Sequence, residues 1–153
     1  MGVNASRVRS QLDKATAVVL RASGGSDLAT TTTETAVSLS ELNAAYWHNK
    51  EIPHGAFIVD VEVTKRVAGG TNSYKVALVV DDVSAMNNSP VTIAEYTIPA
   101  VGPFRFVVDS KTIPALDSDS DGGGKYLAVK ATLAGDTYPS FNYTAHIGKS
   151  VAA

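Results

Sequence analysis

Apolar and polar residues alternate with a period of two over several stretches of this chain. In AFIVDVEVTKR, Phe57, Val59, Val61 and Val63 share one parity while Asp60, Glu62 and Thr64 share the other. Successive side chains of a strand point to opposite faces, so the pattern predicts a half-buried β-strand. The same alternation recurs in SYKVALVVDDV, with Tyr74, Val76, Leu78 and Val80 together, and in KYLAVKATL, with Leu127, Val129, Ala131 and Leu133 together. In SFNYTAHIG, Phe141, Tyr143, Ala145 and Ile147 oppose Asn142, Thr144 and His146. Shorter candidates are TAVVLRA (16–22), TETAVSL (33–39), VTIAEYTI (91–98) and FRFVVD (104–109), which brings the expectation to about eight strands.

Between these stretches stand turn signals: SGGSD, AGGTN, NNSP, PAVGP, DSDSDGGG and AGDTYP. Short strands punctuated in this way predict an all-β fold of antiparallel strands, a sandwich or a barrel. Prolines 99, 103 and 114 are expected to flank the strands. One short helical connection is expected in SLSELNAAYWH, where Ser38 and Glu41 have capping-box spacing ahead of Leu42, Ala45 and Tyr46. Residues 1–14 are expected as a flexible N-terminal arm and residues 15–153 as one sandwich domain.

Composition narrows the chemistry. A chain of 153 residues has the size of one domain with one core. The net charge of -2 gives no footprint for nucleic acid. Cysteine is absent, which excludes disulfides, zinc thiolate sites and cysteine nucleophiles and suits folding in a reducing cytoplasm. No apolar run has the length of a membrane span, so no membrane partner is expected.

The most suggestive polar motif is DSDSDGGGK, with Asp117, Asp119 and Asp121 at every second residue. Read as an EF-hand loop, these take positions one, three and five and Gly122 position six, but the twelfth falls on Ala128 in place of the bidentate Glu that closes the cage. An EF-hand is therefore excluded. Asp117, Asp119 and Asp121 stay as a weak calcium candidate beside the simpler reading of a solvated loop, and no cofactor is expected. The three histidines, His48, His54 and His146, lack metal-ligand spacing. No nucleophile elbow, paired His–Asp motif or glycine-rich cofactor turn occurs, so the expectation is a protein that is not an enzyme. Among the aromatic residues, Phe57, Phe104, Phe106, Phe141 and Tyr143 fall on apolar parities and are expected in the core. Tyr46, Trp47, Tyr96, Tyr126 and Tyr138 are the candidates for exposure, and Tyr46 with Trp47 is the leading candidate for a protein contact.

In the order of its parts the chain resembles the capsid cement, or decoration, proteins of tailed bacteriophages. An early strand, VVLRASGG, is followed by a Thr-rich strand, TTTTETAVSL, then by long alternating strands, and the stretch YLAVKATLAGDTYPSFNYTAHIG resembles the family's terminal hairpin. The resemblance covers most of the chain after Leu20, and LNAAYWHNKEIPHG departs from the plainer turn of the family. It implies a jelly roll that sits as a homotrimer on the major capsid protein lattice of a virion, made in the host cytoplasm, with no catalytic residues to carry over. The reading from another class is a calcium-assisted carbohydrate-binding module, which would need clustered, exposed aromatic rings.

Overall fold

The computed structural model describes residues 10–12, 18–39, 56–109 and 125–152. These form ten strands: β1 (Ser10–Leu12), β2 (Val18–Arg21), β3 (Thr32–Thr33), β4 (Val37–Ser38), β5 (Ala56–Arg66), β6 (Ser73–Asp81), β7 (Val91–Thr97), β8 (Gly102–Asp109), β9 (Tyr126–Ala134) and β10 (Phe141–Ala152). All pairings are antiparallel. One sheet runs β1-β10-β5-β8, with β2 also on β10; the other runs β3-β9-β6-β7, with β4 also on β9. Because β1 and β2 lie along one strand, and β3 and β4 along another, the ten segments trace the eight strand lines expected from the alternation.

The pairing scheme is that of a jelly roll. β2 pairs with β10, β3 and β4 with β9, β5 with β8, and β6 with β7, so the first half of the chain folds back on the second half in reverse order. Successive pairs are dealt alternately to the two sheets, which rolls this long hairpin into an antiparallel sandwich.

The core lies between the sheets. Val59, Val61 and Val63 of β5, Phe106 of β8 and Phe141, Tyr143, Ala145 and Ile147 of β10 face Tyr74, Val76, Leu78 and Val80 of β6 and Leu127, Val129 and Ala131 of β9. Each such fully buried aliphatic side chain contributes about 1.5–3 kcal/mol through removal from water. Tyr74 and Phe141 stack across the sheets with ring centres 5.1 Å apart, filling the space that valines alone would leave.

The second sheet is also covered on part of its outer face. Val79 and Ala128 have the outward parity yet are buried, because the β6–β7 loop folds over and packs Met86 against them, with Ala36 and Tyr126 alongside. Asp81 anchors that loop: its buried carboxylate accepts from the backbone N–H groups of Asp82 (2.7 Å) and Asn88 (2.9 Å). Tyr126, a candidate for exposure, is thus half-buried in this satellite cluster.

Two sequence expectations change. Ser10–Leu12, inside the segment expected as an arm, pairs with residues 150–152 of β10; the strand ladder therefore reaches into that segment. Pro103 is the second residue of β8 rather than a flanking residue. Among the described residues β8 has β5 on one side only, and an edge strand tolerates the missing N–H. The expected helical connection lies outside the described residues from Ser40 onward; Ser38, its proposed cap, ends β4. Among the described residues no helix is long and apolar enough to cross a membrane.

Candidate interaction surface

The densest polar cluster centres on Arg21, the last residue of β2. A register shift between Ala145 and His146 sets both Leu20 and Arg21 into buried positions instead of alternating them. The Arg21 side chain donates from Nε to Glu34 Oε1 (2.8 Å), from Nη1 to Asn142 Oδ1 (2.6 Å) and to the Tyr143 carbonyl, and from Nη2 to the Ser26 carbonyl (2.9 Å). Asn142 in turn donates to the Gly25 carbonyl and to Asp27 Oδ1, both at 2.8 Å, and Lys65 Nζ meets Asp27 Oδ2 at 2.6 Å. The hydrogen bonds from Lys65 and Asn142 hold the Asp27 carboxyl below its ordinary value. Every nitrogen of this guanidinium has a protein acceptor, so the cluster ties β2, β10 and two loops together and offers no open ligand position.

The outer face of the first sheet carries a cross-strand row in which Val19, His146, Asp60 and Arg105 are register partners on β2, β10, β5 and β8. Arg105 grips Asp60 through Nε and Nη2 at 2.5 and 2.9 Å, a bidentate pair that raises the Arg105 pKa and leaves both groups engaged. Among the described residues no group of three His, Cys, Asp or Glu side chains is placed to hold a metal ion. The calcium candidates Asp117, Asp119 and Asp121 lie outside the described residues, as do Tyr46, Trp47, His48 and His54.

What the sandwich does present is an uneven pair of lateral sides. On one side the edges are β1 with β2 and β3 with β4, and the β3–β4 line is interrupted at residues 34–36 into two pairs of residues. On the other side the edges are the seven-residue β7 and the eight-residue β8, neither of which has an outer neighbour among the described residues. Tyr96 of β7 stacks on Phe106 of β8 with ring centres 4.7 Å apart, closing the core between the sheets while Tyr96 stays 45% exposed. Of the six exposed large hydrophobic residues among those described, Val91, Tyr96, Val101 and Val107 belong to β7, β8 and the loop that joins them. A continuous strand edge with unpaired backbone groups and exposed apolar side chains is a template for association.

A second feature lies at one end of the sandwich, where the loops 22–31, 67–72, 98–101 and 135–140 meet. Tyr138 projects there with 91% of its surface exposed and a left-handed φ of 41°. The signal for the β7–β8 side was present in the sequence as VTIAEYTIPAVGPFRFVV, which carries apolar residues on both parities, but parity alone does not say which strands end a sheet. The sequence placed Tyr138 among residues able to be exposed without distinguishing it from Tyr126. Compared with known proteins, the chain matches no protein-family profile, no curated protein and no solved structure.

Proposed function

We propose that this protein is a structural component of a bacteriophage virion, attaching as a homotrimer to the outer surface of the capsid and stabilising the shell as a cement protein. The observation that carries the reading is the side of the sandwich where β7 and β8 run continuously with no outer neighbour among the described residues and carry Val91, Tyr96 and Val107 exposed. A protein whose task is adhesion needs such sides, and closed symmetric rings are the usual product of identical chains meeting through them. The jelly-roll pairing scheme supports the same reading, since it is the fold that the resemblance in sequence implies. Each contact with the lattice can be weak, because a trimer engages several shell sites at high effective concentration.

Carbohydrate binding is the weaker reading. It calls for clustered exposed rings, whereas the two exposed aromatic residues among those described, Tyr96 and Tyr138, belong to different features: a strand edge and a loop turn.

Light scattering tests the oligomer, which should have three times the 16.0 kDa mass of the chain. Thr92→Lys, a cation placed on the β7 edge, should shift the protein toward monomer with little change in melting temperature. Co-sedimentation with shells should persist at raised salt, because a net charge of -2 leaves little screened attraction to lose. A strict monomer with no affinity for the shell would end this reading.

A further inference from the structure

Tyr138 occupies a position that its own chain does not reward. A bulky residue in the left-handed region costs about 1–3 kcal/mol, and a ring that is 91% exposed recovers none of it through burial. The turn is nevertheless pinned on both sides of the ring. Asn72 donates through Nδ2 to the Thr137 carbonyl (2.7 Å), and its Oδ1 accepts from the Thr137 N–H (3.2 Å). Asp136 Oδ1 accepts from Thr71 Oγ1 and Thr137 Oγ1, both at 3.1 Å. On the far side, the Ser140 N–H donates to the Tyr74 hydroxyl (3.1 Å), and the Ser140 carbonyl accepts from the Val67 N–H (3.0 Å). An aromatic ring held out on a turn that its neighbours fix loses little conformational freedom when it enters a partner.

The surroundings say what that partner is. The four loops at this end carry only two charged residues, Asp27 and Asp136. Asp27 is ion-paired with Lys65, and Asp136 is occupied by Thr71 and Thr137, whose hydrogen bonds lower its pKa. The rest is Gly, Ala, Ser, Thr, Asn and Pro, with the half-buried side chains of Leu28 and Val67 and the 58% exposed Val101, while Ile98 is buried in the core. Such a surface has no complement for phosphate groups or anionic headgroups and matches an uncharged, apolar pocket on another protein. We infer that Tyr138 is the anchor of a protein-docking surface at this end of the sandwich, seated in an uncharged pocket of the capsid lattice. The inference rests on the capsid reading and gives it an orientation, with this loop end toward the shell.

Shells assembled from the major capsid protein of the same phage are the probe. Wild type, Tyr138→Ala, Tyr138→Phe and Trp47→Ala are each co-sedimented with them over a concentration and salt series. Tyr138→Ala should weaken attachment at least about 10-fold, in the range of an interface hot spot. Tyr138→Phe should keep most of the affinity, and the ratio between variants should not change with salt. Unchanged melting temperature of Tyr138→Ala would show that folding is intact, as expected for so exposed a side chain. Equal attachment of wild type and Tyr138→Ala overturns the inference while leaving the capsid reading in place. Failure of wild type to attach overturns both. Quenching of tyrosine fluorescence by cellohexaose, lost in Tyr138→Ala, would assign the ring to a sugar and overturn the protein-docking role.

Discussion

The Arg21 guanidinium lies over the ring of Tyr143, 4.8 Å from its centre, and donates to the backbone carbonyl of the same residue. This places a buried cation against the core, with Glu34 as its partner at 2.8 Å. Removing one member of a buried pair leaves the other charge uncompensated, at a cost of about 3 kcal/mol or more. Arg21→Ala should lower the unfolding free energy by about that amount in urea titrations. Adding Glu34→Gln should cost less than the sum of the two single changes, because both act on one pair. A loss below about 1 kcal/mol for Arg21→Ala would contradict the tie between β2 and β10.

Tyr143 itself carries the opposite lesson. Its hydroxyl is buried without a hydrogen-bond partner among the described residues, and burial, together with the nearby Glu34 charge, pushes its pKa well above the ordinary tyrosine value. An unsatisfied buried hydroxyl costs about 1–3 kcal/mol, so Tyr143→Phe should leave stability unchanged or raise it by about 1 kcal/mol. A clear loss of stability in thermal melts would reveal a partner for that hydroxyl.

Acid sensitivity should trace in part to the loop end. Asp27 and Asp136 have folded pKa values below their unfolded ones, so the unfolded state binds more protons between the two values and stability rises with pH there. Their contribution is fully present above about pH 4–5 and is lost as pH falls through the lowered values. Asp27→Asn should therefore shrink the drop in melting temperature between neutral and acidic solution. A drop as large as that of wild type would assign the acid limb to other carboxylates.

The interlocked 67–72 and 135–140 loops give a steric prediction. Gly135 has φ +127°, and a Cβ there would fall 2.5 Å from the Asn72 Cα and 2.7 Å from its backbone nitrogen. Neither atom can move without breaking the paired turn. Gly135→Ala should destabilise by about 2 kcal/mol or more, combining overpacking with an unfavourable φ. Gly24→Ala, also at positive φ but with nothing within 4 Å, should cost less in the same melts. Equal losses would mean that backbone strain alone decides.

The inward faces of β5, β9 and β10 were legible because these strands are buried on one face and at least partly solvated along most of the other, which writes a period of two into the residues. Val61 and Val63, buried on either side of the exposed Glu62, illustrate this directly. Val79 and Asp81 were not legible as buried, since their cover comes from the β6–β7 loop and Met86, whose path no local pattern encodes. Arg21 stood out only as a lone charge after VVL, and its partners Glu34 and Asn142 are 13 and 121 residues away. Tyr138 was visible as an aromatic in a turn, but its left-handed backbone and its pinning by Asn72 and Tyr74 depend on loops that meet only once both sheets exist. The candidates Tyr46, Trp47, Asp117, Asp119 and Asp121 remain proposals of the sequence alone.

The pairing of Ser10 with Ala152 joins residues 142 positions apart, and Val19 with His146 spans nearly as much chain. Every ladder of the first sheet except β5 with β8 waits for β10 to arrive, so little of that sheet can be gained early through local contacts. Loop-closure entropy must be overcome before such distant pairs return any stability, which makes high contact order the kinetic signature of this fold. Folding should therefore be slow for the chain's size, with β6 and β7, neighbours in sequence across a nine-residue loop, able to pair long before β1 and β2 find their strand.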